Sequence, residues 1–165
     1  MQEIALESLH FNPFTTIGKQ WMLVAAGKPE KCNAMTASWG GMGVMWGKNV
    51  AACVIRPQRH TLQFLDSNDT YTLSFFEESH RAALNYCGSH SGGENQKIAA
   101  AGLTLVPDTD APVFQEAQLT FVCKKLYRQP MDPACLIDPN IDGTWYADHD
   151  YHILFVGEII KVLQN

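Results

Sequence analysis

No apolar run in this chain is long enough to span a membrane. The longest stretches, such as Trp21 to Ala26, fall far short of the roughly twenty residues a transmembrane helix needs. Met1-Gln2-Glu3 lacks the basic start of a secretion signal, so the expected location is the cytoplasm. There is no Cys-x-x-Cys pair, and the five cysteines (Cys32, Cys53, Cys87, Cys123, Cys135) leave one thiol over in any full pairing. They read as reduced and mostly buried. Positive charge is scarce as well: 12 Lys and Arg against 17 Asp and Glu give a net charge of -5, which argues against nucleic acid as a main partner. Any phosphate bound here must be gripped locally.

Several catalytic signatures are also missing. Without a Gly-x-Ser-x-Gly elbow, His80, Ser89 and His90 do not assemble into a hydrolase. Gly43-Val44-Met45-Trp46-Gly47-Lys48-Asn49 has Met42 where a triphosphate loop needs its first glycine, and no hydroxyl follows Lys48. No glycine set of the dinucleotide fold follows a strand and opens a helix. His149, Asp150 and His152 have no cysteine or glutamate at ligand spacing, and on a strand only 150 and 152 share a face, so they read as a polar strand start and no metal is expected. Cys87, closing a helix, reads as core. Asn68-Asp69-Thr70 matches a glycosylation pattern but lacks a secretory route.

What remains is a chain of 165 residues, 46% apolar and 18% charged, with no repeat, low-complexity segment or composition shift. Residues 1–165 therefore read as a single packed domain. Runs rich in β-branched and aromatic residues predict strands over Gln20 to Ala26, Trp39 to Trp46, Val50 to Ile55, Tyr71 to Phe76, Leu119 to Leu126 and His152 to Val162. Short helices are expected over Thr61 to Asp66, Ser79 to Tyr86 and Glu94 to Ala101, the last stopped by Gly102. Closely spaced strands with inserted helices point to an antiparallel barrel or sandwich, mainly β. From Arg128 to Asp150 the sequence carries Pro130, Pro133, Pro139 and Gly143 with no sustained periodicity, and so long an irregular stretch usually covers a site or a partner.

Three polar clusters carry the candidate chemistry. In Asn33-Ala34-Met35-Thr36-Ala37-Ser38-Trp39-Gly40-Gly41, small residues and hydroxyls stand where a core would want bulk, so a flat ligand can approach the backbone there. Trp39 follows that run directly and would meet such a ligand with its indole; Phe75 and Phe76 read as core. In Cys87-Gly88-Ser89-His90-Ser91-Gly92-Gly93, glycines free the amides to curl around an anion while Ser89 and Ser91 donate, with the Glu94 helix and Lys97 adding positive charge; the alternative is an exposed linker. Arg56 and Arg59, in Arg56-Pro57-Gln58-Arg59-His60-Thr61, can add charge-assisted bonds to phosphate; the alternative is a solvated strand edge. Together the clusters suit a ligand with an aromatic head and an anionic tail.

These segments in this order, with Tyr151-His152-Ile153-Leu154-Phe155-Val156-Gly157-Glu158, resemble the flavin reductase-like family, the FMN-binding split β-barrel group that includes the flavoredoxins. The resemblance spans nearly the whole chain. It implies a Greek-key split barrel, a homodimer, and FMN near the interface. The flavin ring would lie along Thr36 to Trp39, beside Met35 and Ala37, with Asn33 and Thr36 or Ser38 bonding its polar edge. The phosphate would reach Ser89, Ser91, Lys97 and the Arg56 to Thr61 turn, including Arg59. Family members often carry an arginine after the Ser-Gly, where this chain has Gly93 and Glu94. His152 corresponds to the histidine placed beside the flavin where a nicotinamide or another donor docks, and an unperturbed imidazole there could steady negative charge; the alternative is a histidine that only caps the sheet.

Three functions follow as expectations. In the first, NADH or NADPH reduces FMN and the electrons pass to free flavin or another acceptor. In the second, a flavoredoxin-type carrier keeps FMN bound and takes electrons from a redox partner protein. The third, a split barrel that has lost flavin and serves as a binding module, sits poorly with the intact Asn33 to Trp39 run.

Overall fold

The computed structural model describes residues 1–92 and 94–165. Eight strands form one antiparallel sheet: β1 Gln2–Glu3, β2 Met22–Lys28, β3 Lys31–Ala37, β4 Gly40–Met45, β5 Lys48–Ile55, β6 Thr70–Phe75, β7 Leu119–Pro130 and β8 Ile153–Gln164. Their order is β3-β2-β6-β7-β8-β5-β4, with β1 on the far end of β8. This is the expected Greek-key split barrel. The sheet curls until Tyr71 on β6 donates to the carbonyl of Ala51 on β5, three places along the order, at 3.1 Å. Gly157 on β8 makes room for that crossing, because a Cβ there would stand 2.7 Å from the Tyr71 hydroxyl oxygen.

The interior is filled by alternate residues of the strands, among them Met22, Val24, Ala26, Leu73, Phe121 and Phe155. The intervening residues of β2 and β3 form a second core: Leu23, Ala25, Cys32 and Ala34 pack against Ala83, Leu84, Cys87 and Ile98. These last come from α3 Arg81–Ser89 and α4 Glu94–Ala100. Alternation on a strand sends successive side chains to opposite faces, so β2 and β3 are walled on both sides. Both lie between barrel and helices.

The expected strands and helices recur with shifted ends, and β3 is an additional strand. Helix α1 is a single turn, Pro13–Thr15, running into a π-helical turn over Thr16–Gln20; α2 is Thr61–Ser67. Gly102 closes α4 as expected, at φ 75°, with Leu103 N donating to Ile98 O at 3.1 Å. Two expectations need correction. Gly88 and Ser89 do not open a glycine loop; they form the last turn of α3. The Arg128 to Asp150 stretch is not wholly irregular, since β7 continues to Pro130 and α5 spans Pro139–Trp145, its Asp138 side chain accepting from Asn140 N at 2.9 Å. Cys32, Cys53, Cys87 and Cys123 are buried and Cys135 is exposed. Among the described residues no helix is long and apolar enough to cross a membrane.

Candidate functional site

Strand β3 ends at Ala37, and Ser38 and Trp39 carry the chain into β4. Thr36, Ala37 and Ser38 form the shared floor of two adjoining cavities. One, of about 290 Å³, continues over Met35 and Val54 to Trp39, Arg56, Trp145 and His152. The other, of about 340 Å³, continues to Trp21, Asn85, Gly88 and Ser89. Arg59 borders both. The result is a groove with a narrow small-residue floor, an aromatic end and a polar end, in the size range of small-molecule sites, roughly 300–1,000 Å³. A larger cavity, about 440 Å³, lies elsewhere, between the loop at 106–115 and the outer faces of β7 and β8; none of the expected site residues lines it.

At the aromatic end, His152 sits one residue outside β8, and its carbonyl accepts from Met131 N at 2.8 Å. Its imidazole is 5.0 Å from the Trp39 ring, and Trp39 in turn meets Trp145 edge to face at 4.9 Å. Nδ1 of His152 lies 2.9 Å from the hydroxyl of Tyr146. Burial, with the Arg56 guanidinium next and Asp150 opposing, pushes the His152 pKa down to about 4. The ring is therefore neutral at physiological pH, which corrects the expectation of an unperturbed imidazole ready to carry charge. Arg56 pairs with the Asp150 carboxylate, donates to the carbonyl of Trp145 at 2.9 Å, and lies over the Tyr146 ring at 5.4 Å. Gln58 donates to the other Asp150 oxygen at 2.7 Å. That hydrogen bond first, and Arg56 second, hold the Asp150 carboxyl below its usual range.

At the polar end, Arg59 donates to Gly88 O at 2.7 Å, and burial first, then Arg56, lowers its pKa. Thr36 donates to Leu84 O, which ties β3 to α3. Ser89 is exposed and returns its hydroxyl to Asn85 O at 2.9 Å. Ser91 is exposed and lines neither cavity. Asn33, Thr61 and Lys97 lie behind the floor and line neither: Thr61 donates to the Asn33 amide oxygen at 2.7 Å, and the Lys97 ammonium reaches His90 O at 3.2 Å and Asn33 Oδ1 at 3.5 Å. Burial lowers the Lys97 pKa, the neighbouring Cys87 opposes, and Arg59 adds to the lowering. The Cys87 thiol is pushed up by burial, consistent with its reading as core. Gly93, part of the expected anion loop, lies outside the described residues.

The structure thus brings Met35, Thr36, Ala37, Ser38, Trp39, Arg56, Arg59 and His152 to one groove, with Ser89 at its far edge. It places Arg56 at the aromatic end and not beside Ser89. Sequence reasoning missed Trp145 and Tyr146 as site residues and set Asp150 aside as part of a polar strand start. The signal for Trp145 and Tyr146 was the long irregular stretch itself, whose α5 does deliver Trp145 onto the groove.

Comparison with known proteins adds the following. The model of the flavin reductase like domain family matches residues 14–165. No curated protein matches the sequence. Among solved structures, flavoredoxin from Methanosarcina acetivorans is similar at TM-score 0.65 and 19% identity, over 88% of this chain and 68% of that one. An FMN-binding domain of a flavin reductases-like enzyme from Shewanella baltica gives 0.68 and 17%, over 98% and 75%. An NADH:FAD oxidoreductase from Streptomyces globisporus gives 0.66 and 17%, over 88% and 75%. At these identities the likeness is one of fold.

Proposed function

The chain belongs to the flavin reductase-like domain family, and from that premise we propose that it binds FMN in the groove and acts as an oxidoreductase, taking electrons from NADH or NADPH and passing them to free flavin or another acceptor. One observation carries the reading: two cavities share a floor of Thr36, Ala37 and Ser38, with aromatic rings at one end and a cation at the junction. The residues present fit the group. A flat tricyclic ring needs a floor without bulk, and its ribityl phosphate needs a cation one side-chain length away.

When bound, the isoalloxazine supplies the electron chemistry; the protein orients it and governs access. Thr36, Ala37 and Ser38 would floor the ring, with Met35 beside it, and Trp39 and Trp145 would bound its edge and limit water. His152, neutral and held by Tyr146, would face the docking donor. Arg59 would take the phosphate, with Lys97 and Asn33 behind it adding positive charge and rigidity, and Ser89 and Ser91 at the open edge. Arg56 would fix Trp145 in place rather than bind phosphate.

A second reading, a flavoredoxin-type carrier fed by a redox partner protein, is favoured by one feature: Trp145 stands at the groove mouth with half its surface exposed, an aromatic on which a protein could dock. In either reading we propose a cytoplasmic homodimer. Val44 and Trp46 on the β4–β5 hairpin are 72% and 61% exposed, and Trp46 adjoins Tyr127 at 6.2 Å, an apolar patch that a second copy would cover. The deciding experiment is to load the purified chain with FMN and record its visible spectrum, then add NADH or NADPH without oxygen. Bleaching supports the enzyme; a loaded protein that does not bleach supports the carrier; failure to load overturns both.

A further inference from the structure

At the aromatic end His152 lines the groove, and Tyr146, which does not, stands in contact with it. Both side chains are buried, and the Tyr146 hydroxyl lies 2.9 Å from His152 Nδ1. A neutral imidazole carries its proton on one nitrogen and offers the other as an acceptor. The phenol has one proton to give, and two acceptors lie within its reach: Nδ1, and the thioether of Met131 at 3.5 Å. A ring nitrogen is much the stronger acceptor, so the phenol proton goes to Nδ1. The imidazole proton is then left on Nε2. Among the described residues Nε2 has no hydrogen-bond partner and no buried side-chain nitrogen or oxygen is left unpaired, so Nε2 is not sealed off. His152 lines the groove, so Nε2 is its open atom.

We propose that Tyr146 is a positioning residue that fixes His152 with its proton on Nε2, so that the groove presents a neutral hydrogen-bond donor to an amide-type carbonyl of its ligand. The charged groups facing the pair fit this role. Arg56, over the Tyr146 ring, opposes a second proton on the imidazole, and the Asp150 carboxylate that would favour one is already taken by Arg56 and Gln58. Burial raises the Tyr146 pKa, which keeps the phenol a donor. The tautomer is thus set from the Arg128 to Asp150 stretch: α5 ends at Trp145, Arg56 grips that residue's carbonyl, and Tyr146 follows directly. Only the naming of the carbonyl rests on the flavin reading, because the ring systems proposed to enter the groove, flavin and nicotinamide, both carry one.

The test is the two-bond proton–nitrogen spectrum of the nitrogen-15-labelled chain without flavin at neutral pH, with the His152 signals assigned by their loss in His152→Asn. Nδ1 is expected unprotonated and Nε2 protonated. In Tyr146→Phe, which keeps the ring, the signals should move toward a mixture of tautomers. Anaerobic reduction of the FMN-loaded variant should slow several-fold at saturating NADH or NADPH, while FMN affinity stays within about twofold of wild type. Adding FMN, or oxidised NAD, to the labelled wild type then separates the carbonyl sources: whichever shifts Nε2 supplies the acceptor, and if neither does, the carbonyl assignment is overturned. A proton on Nδ1 in the wild type, or an unchanged spectrum in Tyr146→Phe, overturns the proposal for Tyr146. Should the variant not fold, the wild-type spectrum alone decides. Correct tautomer behaviour in a chain that takes up no flavin would leave Tyr146 in its role and overturn the flavin reading instead.

Discussion

The aromatic end of the groove is closed mainly by side chains that pair with one another, whereas the side chains of the polar end are tied down by backbone carbonyls. Arg56 and Asp150 are 94 residues apart, and through them Tyr146, Trp145 and His152 satisfy one another. At the other end Arg59 donates to Gly88 O, Lys97 to His90 O and Ser89 to Asn85 O. The difference teaches where each end should be sensitive. Where a network of paired side chains is buried, as at Tyr146 and His152, it is costly to disturb, because breaking one member strands another. A cation already bonded to a carbonyl exchanges that bond for a phosphate, so the net gain is modest. Changes at the aromatic end should therefore alter stability and chemistry, and changes at the polar end affinity alone.

The largest effect should erase the comparison altogether. Ala37 is on the floor common to both cavities, and Ala37→Leu puts a branched side chain where the ring must lie. Overpacking of this kind costs about 1–3 kcal/mol even in cores that can adjust. A loss of FMN affinity of about a hundredfold is expected, near 2.7 kcal/mol, with the circular dichroism of the fold unchanged. A flavin fluorescence titration measures it, and full loading of the variant would refute the platform.

Next in size is an acid effect confined to the aromatic end. The folded pKa of His152, about 4, lies below its ordinary 6.5, so between these values the unfolded chain binds the extra proton. The stabilisation is complete above about pH 6.5 and lost as pH falls toward 4. The lost stability is on the order of 2–3 kcal/mol. Asp150, also depressed, acts in the same direction but at more acid pH. Urea unfolding from pH 7 to 4 should show the loss in wild type and a flatter profile in His152→Asn. Parallel profiles would mean that the imidazole is not held neutral.

This division also explains what could be read from the sequence. Strands such as β5 and β6 carry β-branched and aromatic runs, and the small residues of β3 marked the floor because they break the expectation of bulk. Strand β3 itself was hidden. Its barrel face holds Asn33 and Met35 and its helix face Cys32 and Ala34, so neither face shows the polar alternation of a half-exposed strand. The buried polarity of Asn33 is satisfied by Thr61 and Lys97, contacts that exist only once α2 and α4 have docked. Helix α5 was hidden by Pro139 and Gly143, although Pro139 stands in the first turn, where proline is tolerated. Tyr146 and Asp150 acquire their meaning from Arg56 across 90 or more residues, and no local pattern encodes that.

At the polar end, Arg59 bounds both cavities and is its best-placed cation. Arg59→Met should weaken FMN about tenfold, the worth of a charge-assisted bond after exchange, and leave riboflavin, which has no phosphate, unchanged. Parallel titrations of the two flavins test this directly. Equal losses for both would place Arg59 at the ring instead.

The smallest effect belongs to Ser89, and it sharpens the comparison most. The sequence points to its hydroxyl as a phosphate donor on a glycine loop, but Ser89 closes α3 and is exposed at the groove's far edge. Its hydroxyl lies 2.9 Å from Asn85 O and 3.4 Å from Tyr86 O, both carbonyls of its own helix, with His90 Nδ1 at 3.1 Å. A serine bonded back to its own last turn already has an acceptor, and in water such a bond is exchanged at little net gain. Ser89→Ala should therefore change FMN affinity by no more than about twofold, roughly 0.4 kcal/mol, and leave thermal unfolding nearly unaltered. A tenfold loss would show that the end of α3 unwinds when FMN binds, turning its last residues into the anion loop that the sequence suggests and making the polar end, like the aromatic one, a place built for its ligand.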